Sequence, residues 1–221
     1  MTTFQAAVFG AIHGFAEFLP ISANANRNLV AYLLNWQAPG SVFVGALSLG
    51  AFLSILIYFR HDWASIVSCF VQVILFRRRP MTLDERLPFF ILLATFPVAI
   101  AWYYFSGRLG QFHWTPLLTA ATLAASGLLL WFFDSFSRKN KKMLDWTGGS
   151  AFFVGIFQLG ALIPGCGRQT AALSASLLRN YSREAGARFA FFAAAPLLAA
   201  SAYLHLRGVS LHLPEPALDL S

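Results

Sequence analysis

Residues 8–31 read VFGAIHGFAEFLPISANANRNLVA, and residues 152–175 read FFVGIFQLGALIPGCGRQTAALSA. In each stretch an apolar segment ends at a proline, Pro20 or Pro164, and a short polar turn leads into a second apolar segment. When Pro20 is aligned with Pro164, the two stretches are offset by 144 residues. Because backbone groups in hydrocarbon need internal partners, such turns are stable only inside protein or beside a wet cavity. The pattern therefore predicts two re-entrant helical hairpins whose turns meet.

The composition is typical of a membrane protein. Of the 221 residues 57% are apolar and 11% are charged, whereas a soluble domain carries about 25% charge. The apolar segments at 41–59, 88–105, 115–133 and 187–205 reach the roughly 17–25 residues that a membrane-spanning helix needs. We therefore expect an all-α polytopic membrane protein with inverted repeats, and we expect neither a soluble enzyme nor a nucleic-acid partner.

The chain is expected to form a single integral membrane domain over residues 1–221. The first expected part is a repeat at 1–76 that contains a re-entrant hairpin at 4–36, and a helical pair follows at 88–134. The next part, at 149–205, consists of a second re-entrant hairpin at 149–178 and a spanning helix. A polar tail is expected at 206–221. Cys69 and Cys166 are far apart and lack metal-ligand spacing, so they predict neither a disulfide framework nor a zinc site.

The distribution of basic residues predicts the orientation. If the first hairpin enters and leaves on the outer face and the segment 63–76 lies at the inner interface, 12 of the 16 Lys and Arg residues face the cytoplasm. Two, Arg108 and Arg207, then lie outside, and two lie in the hairpin turns. This asymmetry follows the positive-inside rule and makes the two hairpins opposite in sense. The scheme fails if 63–76 spans the membrane.

Four ionisable side chains lie within the two hairpins: His13, Glu17, Arg27 and Arg168. Such groups are costly in a membrane and mark functional sites. His13 and Glu17 are four residues apart, so on a helix they share one face and can interact. Two interpretations remain open at this point, a catalytic dyad and a structural intramembrane pair.

The two turns carry residues suited to a phosphate group. The first turn offers the side chains of Ser22, Asn24 and Asn26. The second turn is rich in glycine and lies at the start of a helix, so it offers free backbone N–H groups beside the planar guanidinium of an arginine. The residues of this second turn are Gly165, Gly167, Arg168, Gln169 and Thr170. The alternative is a glycine turn chosen for tight packing, with Arg168 paired to Glu17.

These motifs resemble those of the bacterial undecaprenyl-diphosphatases of the BacA type. Residues 13–26 read HGFAEFLPISANAN where the family motif reads EGxxEFLPxSSxxH, and residues 164–169 read PGCGRQ where it reads PGxSRS. Downstream, SREA at 182–185 and FAF at 189–191, followed by Pro196, are similar to the family's SRxxA and FSF stretch. The resemblance covers the whole chain.

The resemblance implies dephosphorylation of a polyprenyl diphosphate carrier lipid in the bacterial plasma membrane, at a site that faces the outer side. It also implies a divalent cation, Mg or Ca, for which Glu17 would be a ligand. By position Glu17, Ser22 and Arg168 are retained. The departures are His13 for a glutamate, Ala23 for a serine, Asn26 for a histidine, and Gly167 and Gln169 for two serines. Family members usually continue for two further helices, which either a second copy of this chain or a partner subunit would supply.

Three functions remain as hypotheses. In the first, His13, oriented by Glu17, acts as the nucleophile or activates water, while Arg168 and the glycine turn stabilise the phosphoryl charge. In the second, a catalytically inactive relative binds or translocates the polyprenyl phosphate carrier. In the third, the fold only scaffolds a membrane complex, which the retained phosphate-facing groups disfavour.

Overall fold

The structure, a computed structural model, describes residues 1–77, 79–109 and 115–207, with the side chains of 105–109 left aside. Arg78 and most of the expected polar tail lie outside the described residues. The described chain contains nine α-helices and no strand: α1 (Thr3–Phe18), α2 (Ala23–Leu33), α3 (Ser41–Tyr58), α4 (Arg60–Leu75), α5 (Leu83–Leu109), α6 (Pro116–Phe136), α7 (Gly148–Gln158), α8 (Arg168–Leu178) and α9 (Arg183–Leu206).

Hydroxyl side chains fix where several helices begin. Thr2 and Gln5 form a capping box at α1, and Ser22, Thr115, Thr147 and Ser182 each accept a hydrogen bond from a first-turn N–H of the helix that follows. Each cap satisfies one of the N–H groups that a helix start leaves without an acceptor. The starts of both hairpins and of the last helix are therefore encoded locally in the sequence.

Four of the described helices are long and apolar enough to cross a membrane, namely α3, α5, α6 and α9. They contain, to within one residue, the four segments that the sequence predicts as spans. The segment 63–76 belongs to α4, which has 16 residues and is not among the four. These observations confirm an all-α polytopic membrane protein.

The helices that follow the two hairpins pack against each other, since α3 lies along α9. Contact is close at Gly45 of α3, where an added Cβ would lie 3.0 Å from the Cβ of His205 and 3.2 Å from the backbone nitrogen of Leu206. Helix α7 packs on α5, and α8 packs against α6, α7 and α9. Phe189, Phe192 and their neighbours from α5, α7 and α8 form the main buried core.

One end of α9 is held by aromatic and ionic contacts. The indole of Trp146 stacks between the rings of Tyr181 and Phe189, with ring centroids 4.1 and 3.9 Å away. The Tyr181 hydroxyl donates to the carbonyl of Asp145 at 2.9 Å. The guanidinium of Arg183 donates hydrogen bonds to both carboxylate oxygens of Asp134. These contacts fix the connection between α8 and α9.

Candidate functional site

The turns of the two hairpins touch each other. Gly167, the N-cap of α8, lies against the first turn, since an added Cβ would sit 2.8 Å from the carbonyl oxygen of Ile21. A side chain at this position would therefore push the two turns apart. The structure confirms the expectation that the turns at Pro20 and Pro164 meet.

The second turn is also fixed to α6. Gly165 has φ +93°, a conformation that glycine adopts readily and other residues rarely adopt. The Thr122 hydroxyl donates to the carbonyl of Pro164, and the Ser126 hydroxyl donates to the carbonyl of Gly165 at 3.2 Å. Helix α6 thus satisfies two turn carbonyls that would otherwise be exposed to an apolar environment.

A cavity of about 440 Å³ lies beside the two turns. At one end its wall is polar, and the described residues there come from both hairpins: His13, Glu17, Ser22, Asn24, Asn28, Gln158, Arg168 and Gln169. The rest of the wall is formed by α3, α5 and α9 and is mostly apolar, with Val44, Val98, Ala99, Trp102, Leu197, Ala200 and Leu204 beside the polar groups of Ser48, Tyr103, Ser201 and His205. The cavity is therefore amphipathic, with a polar end and an apolar end.

An ion pair joins the hairpins at the polar end. Nη2 of Arg168 donates to Oε1 of Glu17 at 2.8 Å, and the Glu17 side chain is 6% exposed. On the same face of α1, Nε2 of His13 lies 3.9 Å from the other carboxylate oxygen, Oε2. The direct contact between Glu17 and Arg168 is the pairing that the sequence leaves open as the alternative to a phosphate-binding turn, and His13 lies next to it.

Several hydrogen-bonding groups at the polar end have no partner among the described residues. Both ring nitrogens of His13 and the side-chain amide nitrogen of Gln169 are buried without such a partner. Helix α8 begins at Arg168 without a side-chain cap, so the N–H groups of its first turn lack intrahelical acceptors. Buried polar groups are rarely left unpaired in native proteins. The unpaired groups of the lining also include two acceptors, Oδ1 of Asn28 and Oε1 of Gln158, and the donors beside the Arg168 fork suit an anion.

The structure separates the other predicted binding residues into two groups. Ser22, Asn24, Gly167 and Gln169 line the cavity. Four others are not among the lining residues: Asn26, Arg27, Gly165 and Thr170. Of these, Asn26 donates to the carbonyl of Ser22 at 2.8 Å, which stabilises the first turn, and Arg27 is fully buried.

Sequence reasoning missed the polar residues of the cavity that lie outside the motifs. Gln158 is 2% exposed, and its Oε1 has no partner among the described residues. Gln158 is the one amide side chain in the otherwise apolar α7, and a lone polar residue in an apolar helix is a signal by which the sequence could have identified it. The α3–α9 wall contributes Ser48, which pairs with Ser201 at 3.2 Å, and no motif marks either residue.

The described residues offer few protein ligands for the divalent cation that the resemblance implies, so that expectation stays a prediction. The described part of the chain contains no group of three or more His, Cys, Asp or Glu side chains that could hold a metal ion. Ca²⁺ takes about six to eight oxygen ligands, and Mg²⁺ relies on one or two carboxylates plus phosphate oxygens. Here one oxygen of Glu17, the single carboxylate among the described lining residues, is already bonded to Arg168.

Fold and site together define an all-α integral membrane protein with a partly polar cavity where two helical hairpins meet. Over residues 6–217 the chain matches the model of the family described as bacitracin resistance protein BacA. The chain belongs to this BacA family.

Curated relatives agree with this assignment. The undecaprenyl-diphosphatase of Geotalea daltonii is 37% identical over 210 residues, which cover 95% of this chain and 77% of the relative. The corresponding proteins of Moorella thermoacetica and Thermobifida fusca are 35% and 32% identical over 96% and 95% of this chain, and over 79% and 72% of their own lengths. The chain thus covers about three quarters of each relative.

Proposed function

We propose that the chain is a polyprenyl-diphosphate phosphatase of the bacterial plasma membrane, acting in the recycling of the lipid carrier used in cell-envelope synthesis. The observation that carries the proposal is the amphipathic cavity, whose polar end holds the Glu17–Arg168 pair and whose apolar end is formed by spanning helices. A diphosphate bound at the polar end leaves the first isoprene units against the apolar wall. The basic asymmetry of the loops supports a site on the outer side.

In the proposed reaction, His13 acts as the general base. The unprotonated imidazole accepts a proton from water, and the water oxygen bonds to the terminal phosphorus. The bond from that phosphorus to the bridging oxygen breaks, so the products are inorganic phosphate and the lipid monophosphate. Arg168 and the N–H groups of α8 stabilise the charge that develops on the phosphoryl oxygens, and Glu17 stabilises the imidazolium.

A second candidate function is binding of the lipid carrier without hydrolysis. It is favoured by residue 23, where the chain has an alanine and thus no side-chain oxygen. The adjacent hydroxyl, Ser22, accepts a hydrogen bond from the N–H of Ala25 at 3.4 Å and serves as the cap of α2. Binding needs only the donors and the arginine, whereas hydrolysis also needs an attacking group.

Phosphate release from undecaprenyl diphosphate by the purified full chain tests the proposal. We expect release by the parent and its loss in His13→Ala, because removal of a general base costs about 10²–10⁴-fold in rate. The matched control is His61→Ala on α4, whose side chain is exposed and does not line the cavity. An active His13→Ala variant would refute the assigned role of His13, and an inactive parent would refute hydrolysis.

A double variant separates the two candidates. Ala23→Ser with His13→Glu supplies a hydroxyl and a second carboxylate at the positions where the family has them. A protein that has its own chemistry at His13 loses activity with these changes. A protein that only binds its lipid gains phosphate release over an inactive parent.

A further inference from the structure

We infer that Gln158 orients the water molecule that attacks the diphosphate. The inference rests on the proposed function, in which water is the nucleophile and His13 is the general base. It gives a role to a side chain of the second hairpin that lies outside both turn motifs, and it concerns the oxygen atom of the Gln158 amide.

Gln158 lies on the second hairpin at a position similar to that of the site residues on the first. It precedes Pro164 by six residues, and on α1 His13 and Glu17 precede Pro20 by seven and three residues. All three polar side chains line the same cavity. Gln158 therefore borders the polar end from α7, whereas His13 and Glu17 border it from α1.

The backbone that carries Gln158 is closely packed. Gly155, one turn earlier on α7, lies against α5, where an added Cβ would be 2.5 Å from the carbonyl oxygen of Ala94 and 3.0 Å from Cγ of Pro97. Gln158 is the last residue of α7, and a short 3₁₀ helix (Leu159–Leu162) follows it toward the turn. The Gln158 side chain is itself buried. This packing allows the amide to hold a bound molecule in a defined orientation.

The amide oxygen of Gln158 lacks a hydrogen-bond donor. Its Oε1 has no partner among the described residues, and buried acceptors are rarely left unpaired in native proteins. An ionised diphosphate offers only acceptor oxygens, so it cannot supply the donor. Water carries two hydrogen atoms, and the oxygen of Gln158 therefore fits the water of the proposed reaction.

A second unpaired amide oxygen in the cavity lining is Oδ1 of Asn28. Asn28 lies on α2, after the first turn, and it also lines a small crevice between α2 and α6. Its side chain thus borders two spaces, and it is on the far side of Pro20 from His13 in the sequence. This difference favours Gln158 and makes Asn28 the comparison residue in the experiment.

With Gln158 in this role, both hydrogen atoms of the water have a defined acceptor. One proton passes to the imidazole of His13, and the other hydrogen stays on the oxygen and donates to Oε1 of Gln158. The water oxygen forms a bond to the terminal phosphorus as the bond from that phosphorus to the bridging oxygen breaks. The products are inorganic phosphate and the lipid monophosphate. Phosphoryl transfer depends strongly on such positioning of the nucleophile.

Two measurements on the purified full chain test the inference: steady-state phosphate release from undecaprenyl diphosphate, and equilibrium binding of the analogue in which a methylene group joins the two phosphorus atoms. Gln158→Met removes the amide at similar volume and should lower kcat about 10- to 100-fold, while the Kd of the analogue stays within about threefold of the parental value. Gln158→Glu retains an oxygen acceptor and should recover part of kcat, with a raised KM because its charge repels the diphosphate.

The matched control is Gln72→Met on α4, where the glutamine is exposed and donates to Ser68, and its kcat should equal that of the parent. Retained binding of the analogue shows that Gln158→Met is folded, and Gln158→Leu repeats the test with a second apolar side chain.

Three results would overturn the role of Gln158 while leaving hydrolysis by the chain intact. They are a parental kcat in Gln158→Met and Gln158→Leu, a larger loss of kcat in Asn28→Leu than in either, and a loss of analogue binding in folded Gln158 variants, which would show that the amide holds the phosphate instead. A parent that releases no phosphate would refute hydrolysis, and the role of Gln158 with it.

Discussion

Replacing Gly165 by alanine should destabilise the protein by about 2–4 kcal/mol. A side chain in the left-handed conformation at φ +93° costs about 1 kcal/mol. The added Cβ would also meet backbone of α6, with the nitrogen of Leu123 and the carbonyl oxygen of Thr119 each 2.8 Å away. Backbone atoms of a packed helix cannot rotate aside, so an overpacking penalty of about 1–3 kcal/mol is added.

The assay is thermal unfolding of the detergent-solubilised chain, followed by the fluorescence of its six tryptophans. For a chain of this size each kcal/mol shifts the Tm by about 2–4 °C, so Gly165→Ala should lower it by about 4–16 °C. The control is Gly127→Ala within α6, where an added Cβ meets nothing within 4 Å. Alanine there should raise stability by up to about 1 kcal/mol, the gain in helix propensity over glycine.

A second substitution isolates the cause. The hydroxyl of Thr122 is the nearest atom to the added Cβ, and the other two of the three nearest atoms belong to the backbone. Adding Thr122→Ala to Gly165→Ala should therefore restore less than half of the Tm that Gly165→Ala loses. A Gly165→Ala protein with parental Tm, or full recovery in the double variant, would refute the argument that the turn is locked against the backbone of α6.

Three further predictions concern topology and packing. Cysteines introduced at Thr82 and Asn140 should resist an impermeant thiol reagent in intact cells and react after lysis, and labelling from outside would reject the orientation. Gly155→Leu should lower the Tm by more than Gly165→Ala, because its Cβ would lie 2.5 Å from a carbonyl oxygen of α5, and equal or higher stability would contradict this packing. Tyr181→Phe should cost about 1 kcal/mol, the value of its lost hydrogen bond to the backbone, and an unchanged unfolding midpoint would show that this bond contributes nothing.

Much of the fold follows from local features of the sequence. Apolar runs of spanning length, hydroxyl caps and the two prolines determine where helices begin and end, and each acts over a few residues. The approach of Glu17 to Arg168 was also predictable, because an unpaired charge in a membrane is costly and these two residues lie in the facing turns.

Other parts of the site depend on tertiary packing and could not be predicted in this way. The contact of α6 with the second turn joins Thr122 and Ser126 to residues about forty positions later, and serines and threonines are common in apolar helices without any such role. Arg27 lies in the first hairpin. Its side chain is buried but does not line the cavity, and the sequence alone does not reveal this. Gln158 becomes significant only when it is seen to line the same cavity as residues of both turns.

The contact of α3 with α9 has a consequence for the biogenesis of the protein. The ribosome releases α3 long before α9, since 124 residues separate Tyr58 from Arg183. Until α9 is inserted, the notch at Gly45 that receives His205 and Leu206 is open to lipid, and the cavity lacks the wall that α9 provides. The wall of the cavity is therefore completed late in synthesis, when α9 packs against α3.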